Sequence, residues 1–136
     1  VLAADSQVSD GGLRFASSDK IARSPSGAIG GACGLFVNVA AFLAWVREGA
    51  KDTFDPPEEG HFSAILIKPA LTRDTVFIYE KGGCYEVHDD FVATGSGQEV
   101  AIGALAMGAT AEEAVEIAKQ FHTGCGGRTQ VLRFRR

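Results

Sequence analysis

Apolar positions in this chain fall into short runs, some alternating with polar residues and some continuous, and into longer runs that recur at helical spacing. Residues 1–4 (VLAA) are an apolar run that ends at Asp5, a charged group at the mouth of a buried strand. Ser6 and Gln7 follow, and Gly11-Gly12 forces a turn. Residues 13–16 (LRFA) alternate apolar and polar, the period of a half-buried strand, and 20–23 (KIAR) is a shorter mixed run that reads as another. After the turn at 24–27 (SPSG), residues 28–34 (AIGGACG) form a strand of very small side chains, whose backbone another element can approach closely. Residues 35–48 carry the first helical period, with Phe36, Val39, Ala40, Leu43 and Val46 on the inward side and Trp45 at its margin.

Residues 50–60 are charged and contain Pro56-Pro57, the composition of a surface loop. Residues 63–68 (SAILIK), 75–79 (TVFIY) and, beyond Gly82-Gly83, 84–87 then read as a β-meander. Residues 91–93 read as a strand end leading into the turn Gly95-Ser96-Gly97. Two helices come next. The first carries Val100, Ile102, Ala104 and Leu105 among small residues and ends at Gly108. The second opens with Thr110 and Glu113 at the spacing of a capping box, in which hydroxyl and carboxylate satisfy orphan backbone donors. Its apolar side is Ala111, Ala114, Val115, Ile117, Ala118 and Phe121. After a glycine-rich return, 129–134 (TQVLRF) is the last strand.

This order of strands, helix, strands, two helices and strand fits an α+β fold in which two antiparallel sheets pack face to face with helices outside. A single antiparallel sheet with helices on one face fits it as well. At 136 residues and 46% apolar composition the chain suffices for one domain, residues 1–136, with a sizeable core. Because residue 1 falls within an apolar run, a preceding segment is expected.

Thirteen basic against seventeen acidic residues give a formal charge of -4, and no basic stripe with interleaved aromatics points to nucleic acid. The longest apolar run, near residues 35–46, is broken by Asn38 and is too short to cross a bilayer. Neither nucleic acid nor a membrane is therefore expected as a partner. Cys33, Cys84 and Cys125 are an odd set without CxxC spacing, which favours a reduced, cytoplasmic protein. Cys84 with His88, or His122 with Cys125, supplies too few ligands for zinc, so no metal site is expected.

Leu2-Ala3-Ala4-Asp5-Ser6-Gln7, then Lys20-Ile21, then Gly31-Ala32-Cys33-Gly34 opening a helix, then Thr94-Gly95-Ser96-Gly97 and Cys125-Gly126-Gly127 resemble, in that order, the proteasome β-subunit superfamily. The likeness is to the bacterial ATPase-dependent protease subunit HslV and to phage or bacterial proteasome-like proteins, and it covers nearly the whole chain. It implies a four-layer αββα sandwich of the N-terminal-nucleophile (Ntn) hydrolases, assembly into a homo-oligomeric ring, no cofactor, and threonine-type endopeptidase activity on peptides or unfolded proteins. An AAA+ ATPase is the feeding partner associated with such rings.

Residue by residue, the resemblance implies that Asp5 and Lys20 form a catalytic pair beside an N-terminal threonine, lowering its barrier by stabilising charge and relaying a proton. Gly34 matches the glycine whose N–H serves an oxyanion hole, aided by the positive end of the following helix. Ser96 matches the serine near the terminal amine, and Ala32 and Cys33 fall where substrate side-chain pockets are lined. The nucleophile and its strand are expected about a dozen residues upstream of Val1, one strand and a turn.

The chain departs from the family's pattern where His122 aligns with an aspartate and Cys125 with a serine, and the region after the first helix is short for the second helix usual there. A non-catalytic ring-forming subunit, or a small-molecule amide hydrolase on the same fold, is therefore kept beside the peptidase. At single positions simpler roles stand too: Asp5 as a turn cap, Ser96 as a turn residue, Cys33 and Cys125 as buried packers. Cys125 as a nucleophile activated by His122 is a further alternative.

Overall fold

The computed structural model describes residues 1–10 and 13–134. Its largest sheet is antiparallel and follows chain order: β4 (Ile21–Arg23), β5 (Ile29–Gly34), β6 (Phe62–Lys68), β7 (Thr75–Glu80) and β8 (Gly83–Val87). Register places Gly31 opposite Ile65, Ile65 opposite Ile78 and Ile78 opposite Tyr85, so one face carries a row of apolar residues. Two further pairs complete the strands. β1 (Leu2–Ala4) lies antiparallel to β9 (Gln130–Leu132), and β2 (Gln7–Asp10) pairs with β3 (Leu13–Ser17) across an irregularity between Val8 and Ser9.

The two faces of the five-stranded sheet bury different clusters. On one face lies α1 (Phe36–Arg47), whose Val39, Phe42, Leu43 and Val46 meet Phe62, Ala64, Leu66 and Tyr79. Phe42 is fully buried, with ring centroids of Trp45, Phe54, Phe62 and Tyr79 between 5.2 and 5.9 Å away. The other face gathers Leu2, Ile21, Ile29, Ile65 and Ile78, with Leu132 of β9 packed against them. The small-residue strand β5 serves both. A Cβ on Gly30 would come within 2.9 Å of Val46 on α1, and one on Gly31 within 2.9 Å of Ile21 and 3.3 Å of Leu2. Helix and β1 therefore approach this strand from opposite sides because it lacks side chains at those two positions.

Asn38, which interrupts the apolar run of α1, is fully buried. Its amide donates to Glu58 O at 3.1 Å and accepts from Glu58 N at 3.1 Å. The charged, proline-containing loop is thus clipped onto the helix, and Phe54 folds back into the aromatic cluster. α2 (Gln98–Ala106) packs on α3 (Ala111–Phe121), and α3 in turn lies on β1. The capping box expected at Thr110 and Glu113 is present, both hydrogen bonds at 3.1 Å.

Several expectations are corrected. Residues 91–93 are irregular rather than a strand end, and the last strand covers only three of the six residues expected. Phe36, Ala40 and Phe121, expected on inward faces, are exposed, and α2 buries no residue at all. The sheet touches α1 along a narrower stripe than its apolar content suggests. Ser6 and Gln7 were left outside any strand, yet Gln7 opens β2 directly after Ser6, while the Gly11-Gly12 turn and Arg135-Arg136 lie outside the described residues. No helix among the described residues is long and apolar enough to cross a membrane.

Candidate functional site

β1 delivers Asp5 at its C-terminal end and β4 is preceded immediately by Lys20, so strand ends place both charges at one spot. Lys20 Nζ donates to Asp5 Oδ1 at 2.6 Å, with the two side chains only 18% and 12% exposed. The second carboxylate oxygen accepts the Gly126 N–H at 2.9 Å. Gly126 O accepts the N–H groups of Ser6 and Gln7 at 3.1 and 3.2 Å, and the Gln7 amide donates to Thr123 O at 3.0 Å. The glycine-rich return is thereby laced to the chain just beyond β1. A Cβ on Gly126 would sit 2.3 Å from Gln7 Oε1, so a side chain there would displace the Gln7 amide from its bond to Thr123 O.

Beside the ion pair is a cavity of about 160 Å³, walled by β1, the start of β4, β5, the segment 92–97 and the helices α2 and α3. Asp5, Lys20, Ala32, Cys33, Ser96 and Cys125 all line it. Leu2, Ala3, Ala4 and Asp5 line it consecutively. Alternate residues of a strand point to opposite faces, so the presence of all three β1 residues in the lining means that β1 presents its backbone edge to this space. Its pairing with β9 occupies the opposite edge.

A Cβ on Gly124 would come within 2.7 Å of Ser96 Oγ, so a side chain there would have to displace that hydroxyl. Burial pushes the Cys125 thiol up from its ordinary value, the Asp5 charge adds to this, and the Ser96 side chain acts in the lowering direction. Cys33 is likewise pushed up by burial, against the opposing effects of a hydrogen bond with Thr94 and the Lys20 charge. Its thiol lies 3.7 Å from Thr94 Oγ1 and donates to Ser63 O at 3.5 Å, while Thr94 Oγ1 donates to Ser63 Oγ at 2.6 Å. Both shifts favour the neutral thiol over the thiolate, the form that acts as a nucleophile.

The structure does not bring together every expected residue. His122 lies outside the cavity lining, and its Nδ1 accepts the Gly124 N–H at 2.9 Å, so it is turned to its own loop and not to the Cys125 thiol. Gly34 ends β5 with φ +114° and also lies outside the lining. A Cβ there would come 2.0 Å from His61 O, the atom that accepts the Leu35 N–H at 2.7 Å. That crowding is sufficient reason for glycine at 34. The N-terminus of α1 nevertheless has no side-chain cap and no acidic residue in its first turn, which leaves its positive end unscreened. Ser63 was not singled out from the sequence and Thr94 was given no role beyond its place in the motif at 94–97, because a serine at a strand start and a threonine before a turn carry no local signal. No group of three or more potential metal-ligating side chains occurs among the described residues.

No family model matches the chain, and no curated protein matches it either.

Proposed function

We propose that this chain is a proteasome- or HslV-like subunit of the Ntn hydrolases, hydrolysing peptide bonds with an N-terminal threonine that lies upstream of Val1. The observation that carries the reading is the largely buried Asp5–Lys20 pair at the wall of a cavity that also holds Ser96. An ammonium held against a carboxylate by a 2.6 Å contact at the wall of a cavity is placed to stabilise charge on a group bound there. In this reading Lys20 lowers the cost of deprotonating the threonine hydroxyl, and Asp5 keeps Lys20 aimed. The threonine oxygen attacks the peptide carbonyl and the terminal amine takes its proton. The amine then hands that proton to the departing peptide nitrogen, and water hydrolyses the ester.

The edge of β1 supports the placement of the nucleophile, since a strand running back along that edge would carry its first residue towards Asp5 and Lys20. The layering supports the αββα sandwich: α1, the five-stranded sheet, the β1–β9 pair and α3 follow one another in contact. The three free thiols support a reducing, cytoplasmic setting. Exposed Leu35, Phe36 and Val37 at the start of α1 support a homo-oligomeric ring, and an AAA+ ATPase would be its partner for unfolded protein substrates.

Peptide hydrolysis by the full-length protein tests the reading. Lys20→Ala should lower kcat by at least about a hundredfold, the scale of one general acid–base or charge-stabilising group. Full activity in that variant would remove Lys20 from the mechanism. The second reading, a ring-forming subunit without activity, is favoured by His122 standing outside the cavity where the family has an acidic group. It predicts a ring by sedimentation with no turnover in the unmodified protein.

A further inference from the structure

Two stretches of chain that carry Asp5 and Lys20 are joined by one side chain. We propose that Gln130 is a positioning residue for the Asp5–Lys20 pair, holding its two backbone segments in a fixed relation. Gln130 opens β9 and pairs with Ala4, the residue before Asp5. Its amide reaches the other segment, where Oε1 accepts the Lys20 N–H at 3.0 Å and Nε2 donates to Ser18 O at 2.9 Å. The Lys20 carbonyl in turn accepts the Ala32 N–H at 3.0 Å, so the peptide groups on both sides of the Lys20 Cα are anchored.

Both ends of the amide are used, one as acceptor and one as donor, at a reach of two methylenes. A methionine has similar length and neither function, and an asparagine has both functions and insufficient reach. Gln130 lies outside the cavity lining and touches no reacting atom. Its effect is exerted through Lys20, where a displacement of an ångström is enough to cost orders of magnitude in an aligned reaction. The catalytic consequence rests on the hydrolase reading above, whereas the positional one does not.

The test uses the full-length chain as wild type, Gln130→Met and Gln130→Asn, with competitive acetylation of lysines by acetic anhydride read by peptide mass spectrometry. Lys20 should be acetylated roughly threefold to tenfold faster in both variants relative to Lys51 and Lys68, the factor that corresponds to one net hydrogen bond. Lys51 and Lys68 are exposed and normalise for reagent alone, so acetylation is run where urea unfolding shows each variant fully folded, and the ratio then reports the pair rather than general destabilisation. An unchanged ratio in Gln130→Met overturns the proposal. Should that variant fail to fold, an unchanged ratio in Gln130→Asn overturns it instead. Where peptide turnover is measurable, kcat should fall with KM unaltered. If no protein, wild type included, hydrolyses peptide, the hydrolase reading fails while the acetylation ratio still decides the role of Gln130.

Discussion

Asp5 is the residue on which the site converges, because its two oxygens bind different parts of the chain, Lys20 and the Gly126 N–H. Asp5→Asn leaves a mostly buried ammonium without its counter-charge, and the expected loss is about 3 kcal/mol in urea unfolding, the lower end for a broken buried pair. The two cavity thiols give a second expectation. Burial raises Cys33 and Cys125 above the ordinary thiol value of 9.0, and Tyr79 is pushed up to about 12, chiefly by burial. In each case the unfolded chain ionises first, so the stability these groups contribute is complete below the unfolded pKa and is lost as pH rises through the folded one. Unfolding free energy should therefore decline above about pH 9, and a Cys33→Ala/Cys125→Ala double variant should flatten that decline. Asp5 and Lys20 were legible only through the resemblance and the order of its motifs, since a single charge at the end of an apolar run reads equally as a turn cap or a solvated strand residue. Ser63, Thr94 and Gln130 were not, since their roles exist only once residues 31, 110 and 112 positions apart are brought together.

Among the elements, β5 shows how composition becomes architecture. Gly30 and Gly31 point to opposite faces, and each marks the close approach of a different layer. Gly31→Ala would press on Ile21 and on the carbonyl of Lys20, 3.2 Å from the new Cβ. Backbone at that position cannot yield without moving Lys20. The expected cost is about 1–3 kcal/mol by denaturant titration, accompanied by loss of turnover disproportionate to it. At the start of α3, Thr110→Ala should cost about 1 kcal/mol through the lost cap. The capping box and the meander were readable because their signals are local. Residues 91–93 were misread because an apolar tripeptide looks the same whether or not a neighbouring strand pairs with it. The exposed sides of Phe36, Ala40 and Phe121 were misread because helical periodicity shows which residues share a face, not how much of that face is covered.

For the molecule as a whole, the five-stranded sheet is the shared wall of two cores, an aromatic one under α1 and an isoleucine-rich one facing β1 and β9. The aromatic core is built without any of the proposed catalytic groups. Phe42→Ala should therefore cost about 3–5 kcal/mol in stability while leaving turnover of the molecules that remain folded close to wild type. The other core ends at the cavity, with Ile21 next to Lys20 and Leu2 three residues before Asp5, so stability and chemistry are coupled there. The central claim is that this pair serves a nucleophile at the mature N-terminus. Intact-protein and peptide mass spectrometry of the full-length mature chain, after incubation with a threonine-directed electrophile, tests it most directly. The account predicts a single adduct on an N-terminal threonine, lost in Lys20→Ala. A mature chain that begins with a residue other than threonine, serine or cysteine, or one that stays unmodified, would contradict it.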